Sequence, residues 1–222
     1  MITLTSISTL ITSLFFLISG YSVFSSWKKN NNDLSKFFSV FLLGFGFQQL
    51  FFSLATGYFA NNPLASNWAW AIAHIFMFTA ISYFLRFPIR LRFPNMEKSV
   101  WKATILYSII GTIILFLNIP KIKPFLLGNG IYNWEVTPQA GATIGIFTTI
   151  CLLFSFLVFA MEGMKVKESA LRARAWLLAT GILTFLIGGP LHNFVKTPLM
   201  SAVADFLIIF GAFLMVLGVY SR

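Results

Sequence analysis

Seven stretches of apolar residues, each long enough to cross a bilayer as a helix, leave this chain almost no sequence from which to build anything else. They run Ile2 to Ser26, Phe37 to Phe59, Trp68 to Leu85, Val100 to Leu117, Ala140 to Met161, Ala173 to Leu191 and Leu199 to Tyr220. A hydrocarbon core of about 30 Å is crossed by about 20 helical residues rising about 1.5 Å each. Hydrophobic residues make up 58% of the 222 and charged residues only 10%, more apolar surface than a soluble domain of this size needs. The expected fold is all-α: one domain, residues 1–222, of seven transmembrane helices.

The placement of charge decides what the net charge of +10 means. A nucleic-acid reader gathers its basic residues on an exposed face; here they fall in short loops, and no nucleic-acid partner is expected. Lys28, Lys29 and Lys36 occupy the first loop. Arg86, Arg90, Arg92, Lys98 and Lys102 occupy the third, Lys165, Lys167, Arg172 and Arg174 the fifth, and Arg222 the end. The alternate side has only Lys121, Lys123 and Lys196, a ratio of thirteen to three. That is the positive-inside pattern, and it places the N-terminus outside and the C-terminus inside. Basic loops of this kind attract anionic headgroups at about 1 kcal/mol per charge, a reading preferred to a protein-docking patch. The first segment lacks a preceding basic residue and a small-residue cleavage site, so it is expected to remain as a helix rather than be removed as a signal. The single Cys151, within the fifth span, is read as packing.

Between the spans, Pro88 and Pro94 in "RFPIRLRFPNMEK" are expected to stop the third helix, since each lacks an amide donor and restricts the residue before it. "EGMKVKESALRARA" is expected to extend the fifth and sixth helices beyond the lipid. The longest link, residues 118–139, contains Gly128-Asn129-Gly130 between β-prone flanks and reads as a small β-hairpin lid. Tyr132 and Trp134 within it also suit an interfacial anchor. Gly181 and Gly188 in the sixth span match Gly211 and Gly218 in the seventh, so those two helices are expected to pack closely; Gly141 and Gly145 form a GxxxG of the same kind.

Ionisable and amide side chains at lipid depth cost several kcal/mol, about 2.5 to 3.5 for a charge at a helix centre, unless paired or hydrated. Asp205 lies about five residues into the seventh span, roughly 8 Å below its boundary. His74 reaches a similar depth from the same side. His192 and Asn193 stand at the end of the sixth span, after Gly188, Gly189 and Pro190, where the helix is expected to break and line a cavity. Gln48 and Gln49 sit mid-span in the second and read first as interhelical glue. An outward-facing pocket of His74, Asp205, His192, Asn193 and Gln49 is the central expectation. Thr197 and Pro198 read as N-cap and first-turn proline of the seventh helix.

No HExxH, CxxC, P-loop or nucleophile elbow is present. Two histidines and an aspartate could hold zinc or iron only if the fold joined them, and their spacing carries no metal or haem signature. Retinal is excluded because no lysine lies between Leu199 and Tyr220. Neither a catalytic role nor a cofactor is expected. Seven spans, an outside N-terminus, "FLRFPIR", "LGNGIYNW" and "LRARAWLLATGI" together resemble the seven-transmembrane N-terminal sensory region of bacterial histidine kinases and related signalling proteins. The resemblance covers nearly the whole chain and is one of layout. It implies a receptor-like protein of the bacterial cytoplasmic membrane that senses an external or membrane-embedded signal and relays it through its last helix. Only Ser221 and Arg222 follow Tyr220, so the expected output runs through another chain, a cytoplasmic or membrane signalling partner, or the polypeptide is a piece of a longer one. The alternatives are a small-solute or proton-linked transporter, with Asp205 titrating, and a metal-dependent membrane hydrolase.

Overall fold

The computed structural model describes residues 2–220, apart from the side chain of Asn193; Arg222, counted above among the inner basic residues, lies outside them. Seven helices follow in order: α1 (Leu4–Asn30), α2 (Asp33–Thr56), α3 (Pro63–Arg92), α4 (Glu97–Asn118), α5 (Pro138–Lys165), α6 (Ser169–Leu191) and α7 (Pro198–Tyr220). Between α4 and α5 stand two short antiparallel strands, β1 (Lys123–Leu126) and β2 (Tyr132–Glu135). All seven helices are long and apolar enough to cross a membrane, as a multi-pass membrane protein requires.

The helix starts carry the caps their sequences call for. Thr3 and Ser6 exchange side-chain bonds in a capping box, at 3.0 and 3.1 Å. Asn32 and Asn62 accept the amides of Leu34 and Ala65. Thr137 and Thr197, each followed by proline, accept those of Ala140 and Met200. The end of α1 is closed by Asn31 at φ 48°, the left-handed turn that lets α2 double back.

Each helix packs on its sequence neighbour, and α1 meets α7, so α1, α2, α3, α5, α6 and α7 close a ring while α4 lies outside against α3 and α5. Phe185 of α6 fills the ring's centre. Its ring lies 4.8 Å from Phe45, 5.8 Å from Phe41 and 6.1 Å from Phe16, which joins α6 to α1 and α2 through aromatic contacts. Such contacts contribute about 0.5–1.5 kcal/mol each beyond area burial.

The glycines of α6 and α7 meet as expected. A methyl on Gly181 would stand 2.6 Å from the carbonyl oxygen of Gly211, and one on Gly211 the same distance from that of Gly181. The backbones touch there, which is how helices gain contact where lipid supplies no hydrophobic drive. Gly141 and Gly145 of α5 behave otherwise: nothing lies within 4 Å of a side chain built at either. They are no packing motif.

At the end of the bundle where the basic loops gather, here the basic end, Glu97 of α4 accepts from Arg86 Nε (2.8 Å) and Arg90 Nε (2.7 Å) of α3, and Arg90 reaches Asp33 of α2 at 2.8 Å. Both guanidinium groups lie over Phe37, at 4.4 and 4.9 Å from its centre. Three helices are thereby tied by paired charges.

Two prolines depart from expectation. Pro88 lies inside α3, which runs on to Arg92; the bond it removes is one of many in a 30-residue helix whose last turns are pinned by the Glu97 network. Only Pro94 ends it, forcing Phe93 out of helical geometry. Likewise α6 is not broken at Gly188: it continues through Pro190 to Leu191 before a short 3-10 turn, His192–Phe194. Pro190 still cannot donate to the Leu186 carbonyl four residues back.

These contacts set a contrast. Gly181→Val should lower stability by about 1–3 kcal/mol, because backbone stands where the side chain must go. Gly145→Ala should be neutral or stabilising by up to about 1 kcal/mol through helix propensity. Unfolding midpoints in mixed micelles with increasing dodecyl sulfate read both; equal effects would contradict the contact assignment.

Candidate functional site

The ring does not close fully at the end carrying the β-hairpin. A cavity of about 460 Å³ lies there. Phe45, Met77, Leu152, Phe185 and Ile208 give it apolar walls and a floor. Gln48 and Gln49 of α2 and His74 of α3 add polar groups, and the hairpin covers it with Ile131, Tyr132 and Trp134.

The hairpin is held as a lid by bonds to three separate places. Leu127 N–H donates to the Ile131 carbonyl at 2.8 Å, and Gly130 adopts φ 83°, which closes the turn in a conformation that favours glycine. The Gly130 carbonyl then accepts from Leu4 N–H at the start of α1 (2.9 Å). Tyr132 N–H donates to Thr5 Oγ1 at 2.9 Å, and its hydroxyl donates to Ser66 Oγ of α3 at 3.0 Å. Asn129 Nδ2 donates to the Lys196 carbonyl, just before α7, at 2.9 Å. Burial raises the Tyr132 phenol above its ordinary pKa, against the smaller opposite effect of its bond to Ser66, so it stays a neutral donor in ordinary buffers. Trp134 points its ring inward, 5.9 Å from Phe52 and 6.4 Å from Trp70. It is packed on α2 and α3.

His74 donates from Nδ1 to the Trp70 carbonyl at 2.8 Å; a carbonyl can only accept, so the neutral ring carries its proton there and offers Nε2 as an acceptor. The ring lies between Trp70 and Phe52, with centroids at 4.2 and 5.4 Å. Gln48 and Gln49 are each 6% exposed, yet among the described residues neither side-chain amide receives or gives a protein hydrogen bond, and Gln48 Oε1 is fully enclosed. The expected interhelical glue is therefore absent: the Gln49 amide opens on the cavity, where no helix comes near enough to pair with it, while Gln48 Oε1 is shut away without a partner. The indole Nε1 of Trp134 is also buried without a partner.

The expected pocket residues are brought together in part. His74, Gln49 and His192 line one cavity. Asp205 does not line it. Its carboxylate turns toward α1, accepting from the Ser8 hydroxyl through Oδ2, while Oδ1 lies 3.0 Å from His192 Nε2 in a geometry that makes no directed hydrogen bond. The reason is the α1–α7 packing: a buried carboxylate takes the nearest hydroxyl. Asp205 thus stands behind His192 and reaches the cavity only through it. The side chain of Asn193 lies outside the described residues. Among the described residues no three His, Cys, Asp or Glu side chains are placed to hold a metal ion.

One wall was not foreseen. Gly141, Gly145 and Thr149 of α5 line the cavity with Leu186, Gly189 and Pro190 of α6 and are themselves exposed, with open space around Gly141, Gly145 and Gly189. A cavity residue that is also exposed marks an opening, here a lateral gap between α5 and α6. The readable signal was the recurrence of small residues every fourth position, which also fits a packing face. Comparison of the chain with protein-family models, with curated proteins and with solved structures finds no match.

An enclosed amide without a partner costs stability, and replacing it with an apolar side chain of similar size relieves that cost. Gln48→Leu should therefore raise stability by about 1 kcal/mol, read from the unfolding midpoint. A fall of the same size would mean that the amide has a partner.

Proposed function

We propose that the chain is a receptor-like sensor of the bacterial cytoplasmic membrane, with its N-terminus and hairpin outside and its C-terminus inside. The thirteen-to-three distribution of basic residues supports that orientation, since short basic loops stay on the cytoplasmic side. The layout resemblance to the sensory region of histidine kinases supports the same role.

The observation that carries the reading is the cavity beneath the hairpin. Polar groups held at lipid depth without partners are costly and mark functional positions. Here the Gln49 amide and an imidazole nitrogen of His74 present hydrogen-bonding positions to one space of about 460 Å³, a size that drug-sized ligands fill.

A route for the signal lies in α6 and α7. An occupant bearing on Leu186 or Pro190 pushes on α6, and α6 touches α7 backbone to backbone at Gly181 and Gly211. At the basic end Arg174 of α6 donates to the Gly218 and Val219 carbonyls of α7, at 3.2 and 3.3 Å. The two helices therefore move as a pair, and a shift at the hairpin end is delivered to the basic end, where the signal passes on.

Spin labels in a Cys151→Ser background test this. One pair sits at Ile150 and Ile187 near the gap, the other at Met164 and Leu171 at the basic end, all four exposed. Filling the cavity with Gly145→Trp should shift both distances together by about 1–2 Å, the scale of helix shifts in switching proteins. A basic-end distance that stays fixed while the gap changes would refute the relay, and solute flux in proteoliposomes would favour a carrier instead.

A further inference from the structure

We infer that the cavity takes an uncharged amphipathic molecule dissolved in the bilayer, one that carries a hydrogen-bonding head and an apolar tail and passes sideways between α5 and α6. The inference rests on the sensor reading for its biological use, but its grounds are the chemistry of the wall and the position of the gap.

The wall excludes a formal charge on the ligand. Among the described residues that line the cavity there is no lysine, arginine, aspartate or glutamate. His192 is the one lining side chain beside a charge, and its neighbour Asp205 already occupies it from behind. A carboxylate or ammonium brought into this space would lose its hydration and meet no counter-ion, a penalty of several kcal/mol.

The same wall requires a polar head that both gives and accepts. Gln49 Oε1 and His74 Nε2 are acceptors with no protein donor among the described residues, so the head must carry a donor. The Gln49 amide N–H is likewise a donor with no protein acceptor, so the head must also carry a lone pair. A hydroxyl or a primary amide satisfies both. Below these groups, Phe45, Met77, Leu152 and Phe185 offer only carbon and sulfur, which suits a hydrocarbon tail.

The gap sets the route. Gly141 and Thr149 are three and eleven residues beyond Pro138, the first residue of α5. At about 1.5 Å per residue the opening therefore spans roughly 4 to 16 Å below the start of the helix, within the outer half of a hydrocarbon core of about 30 Å. What reaches it there is what dissolves in lipid. No side chain obstructs the passage at Gly141, Gly145 or Gly189, where nothing lies within 4 Å of an added Cβ.

Photolabelling of the full chain in lipid nanodiscs tests the inference with three probes of equal chain length, each bearing a diazirine in the tail: a dodecyl alcohol, a dodecanoate and a dodecyl trimethylammonium. The alcohol should label wall peptides containing Gln48 to Phe52 and Trp70 to Met77, and excess plain dodecanol should compete this labelling away. The two charged probes should label only lipid-facing surface. Gln49→Leu should raise the dodecanol concentration for half competition about tenfold, the loss of one hydrogen bond. Gly145→Trp should abolish wall labelling, and Thr149→Phe, a smaller plug in the same gap, should reduce it; Gly128→Ala in the hairpin turn should leave it unchanged. Wall labelling by the charged probes as strong as by the alcohol, labelling that dodecanol does not compete, or full labelling in both folded plugged variants would overturn the proposal. The two readings separate cleanly. Competed alcohol labelling with a fixed Met164–Leu171 distance keeps the ligand class and removes the sensor, whereas a distance that responds to Gly145→Trp beside equal charged-probe labelling does the reverse.

Discussion

The hydrogen bonds that fasten the hairpin across one end of the bundle are the interaction on which the rest of this structure depends. A two-stranded hairpin is marginal by itself. This one is stabilised because Leu4 and Thr5 at the start of α1, Ser66 near the start of α3 and Lys196 before α7 each bond to it. In return the hairpin brings Ile131 and Trp134 over a space that would otherwise lie open, and it satisfies backbone groups that have no regular partner. Without it His74 and the two glutamines would be polar groups in an open cleft instead of groups in a walled chamber.

Below that chamber the bundle is built differently. The Phe185 cluster, the touching glycines of α6 and α7 and the Glu97 network make the basic half tight. The hairpin half leaves amides and an indole without protein partners and keeps α5 away from α6. One molecule thus has a rigid half and a half that holds room, and α6 and α7 run through both. A device that reports occupancy at one end to the other needs that division.

Much of the fold was legible because the bilayer imposes one length and one composition on every span, and the capping threonines, asparagines and prolines mark the starts. The α6–α7 contact was legible too, because glycines seven residues apart in consecutive spans have few other uses. Pro88 and Pro190 misled for a shared reason: a proline removes one backbone bond, and a long helix held elsewhere tolerates that loss, which local rules do not weigh. The site was legible only in part. Depth along a helix can be counted from the sequence, so His74 and Asp205 could be placed at a similar depth, His192 at the end of its span and Gln49 mid-span. The direction a side chain faces depends on helix rotation, which is set by packing, and so Asp205 was assigned to the pocket when it bonds to Ser8. Gly141 and Gly145 carried the opposite ambiguity, since small residues serve both to let helices touch and to leave a space.

The central claim is that the hairpin's aromatic face is a lid packed into the bundle and not an anchor at the membrane surface. Magic-angle-spinning NMR of the protein in lipid bilayers, with labelled tryptophan and phenylalanine, measures it directly. The account requires through-space contacts between the Trp134 indole and the Phe52 ring, whose centres are 5.9 Å apart. A Trp134 signal that contacts lipid headgroups and shows no correlation to Phe52 would contradict it.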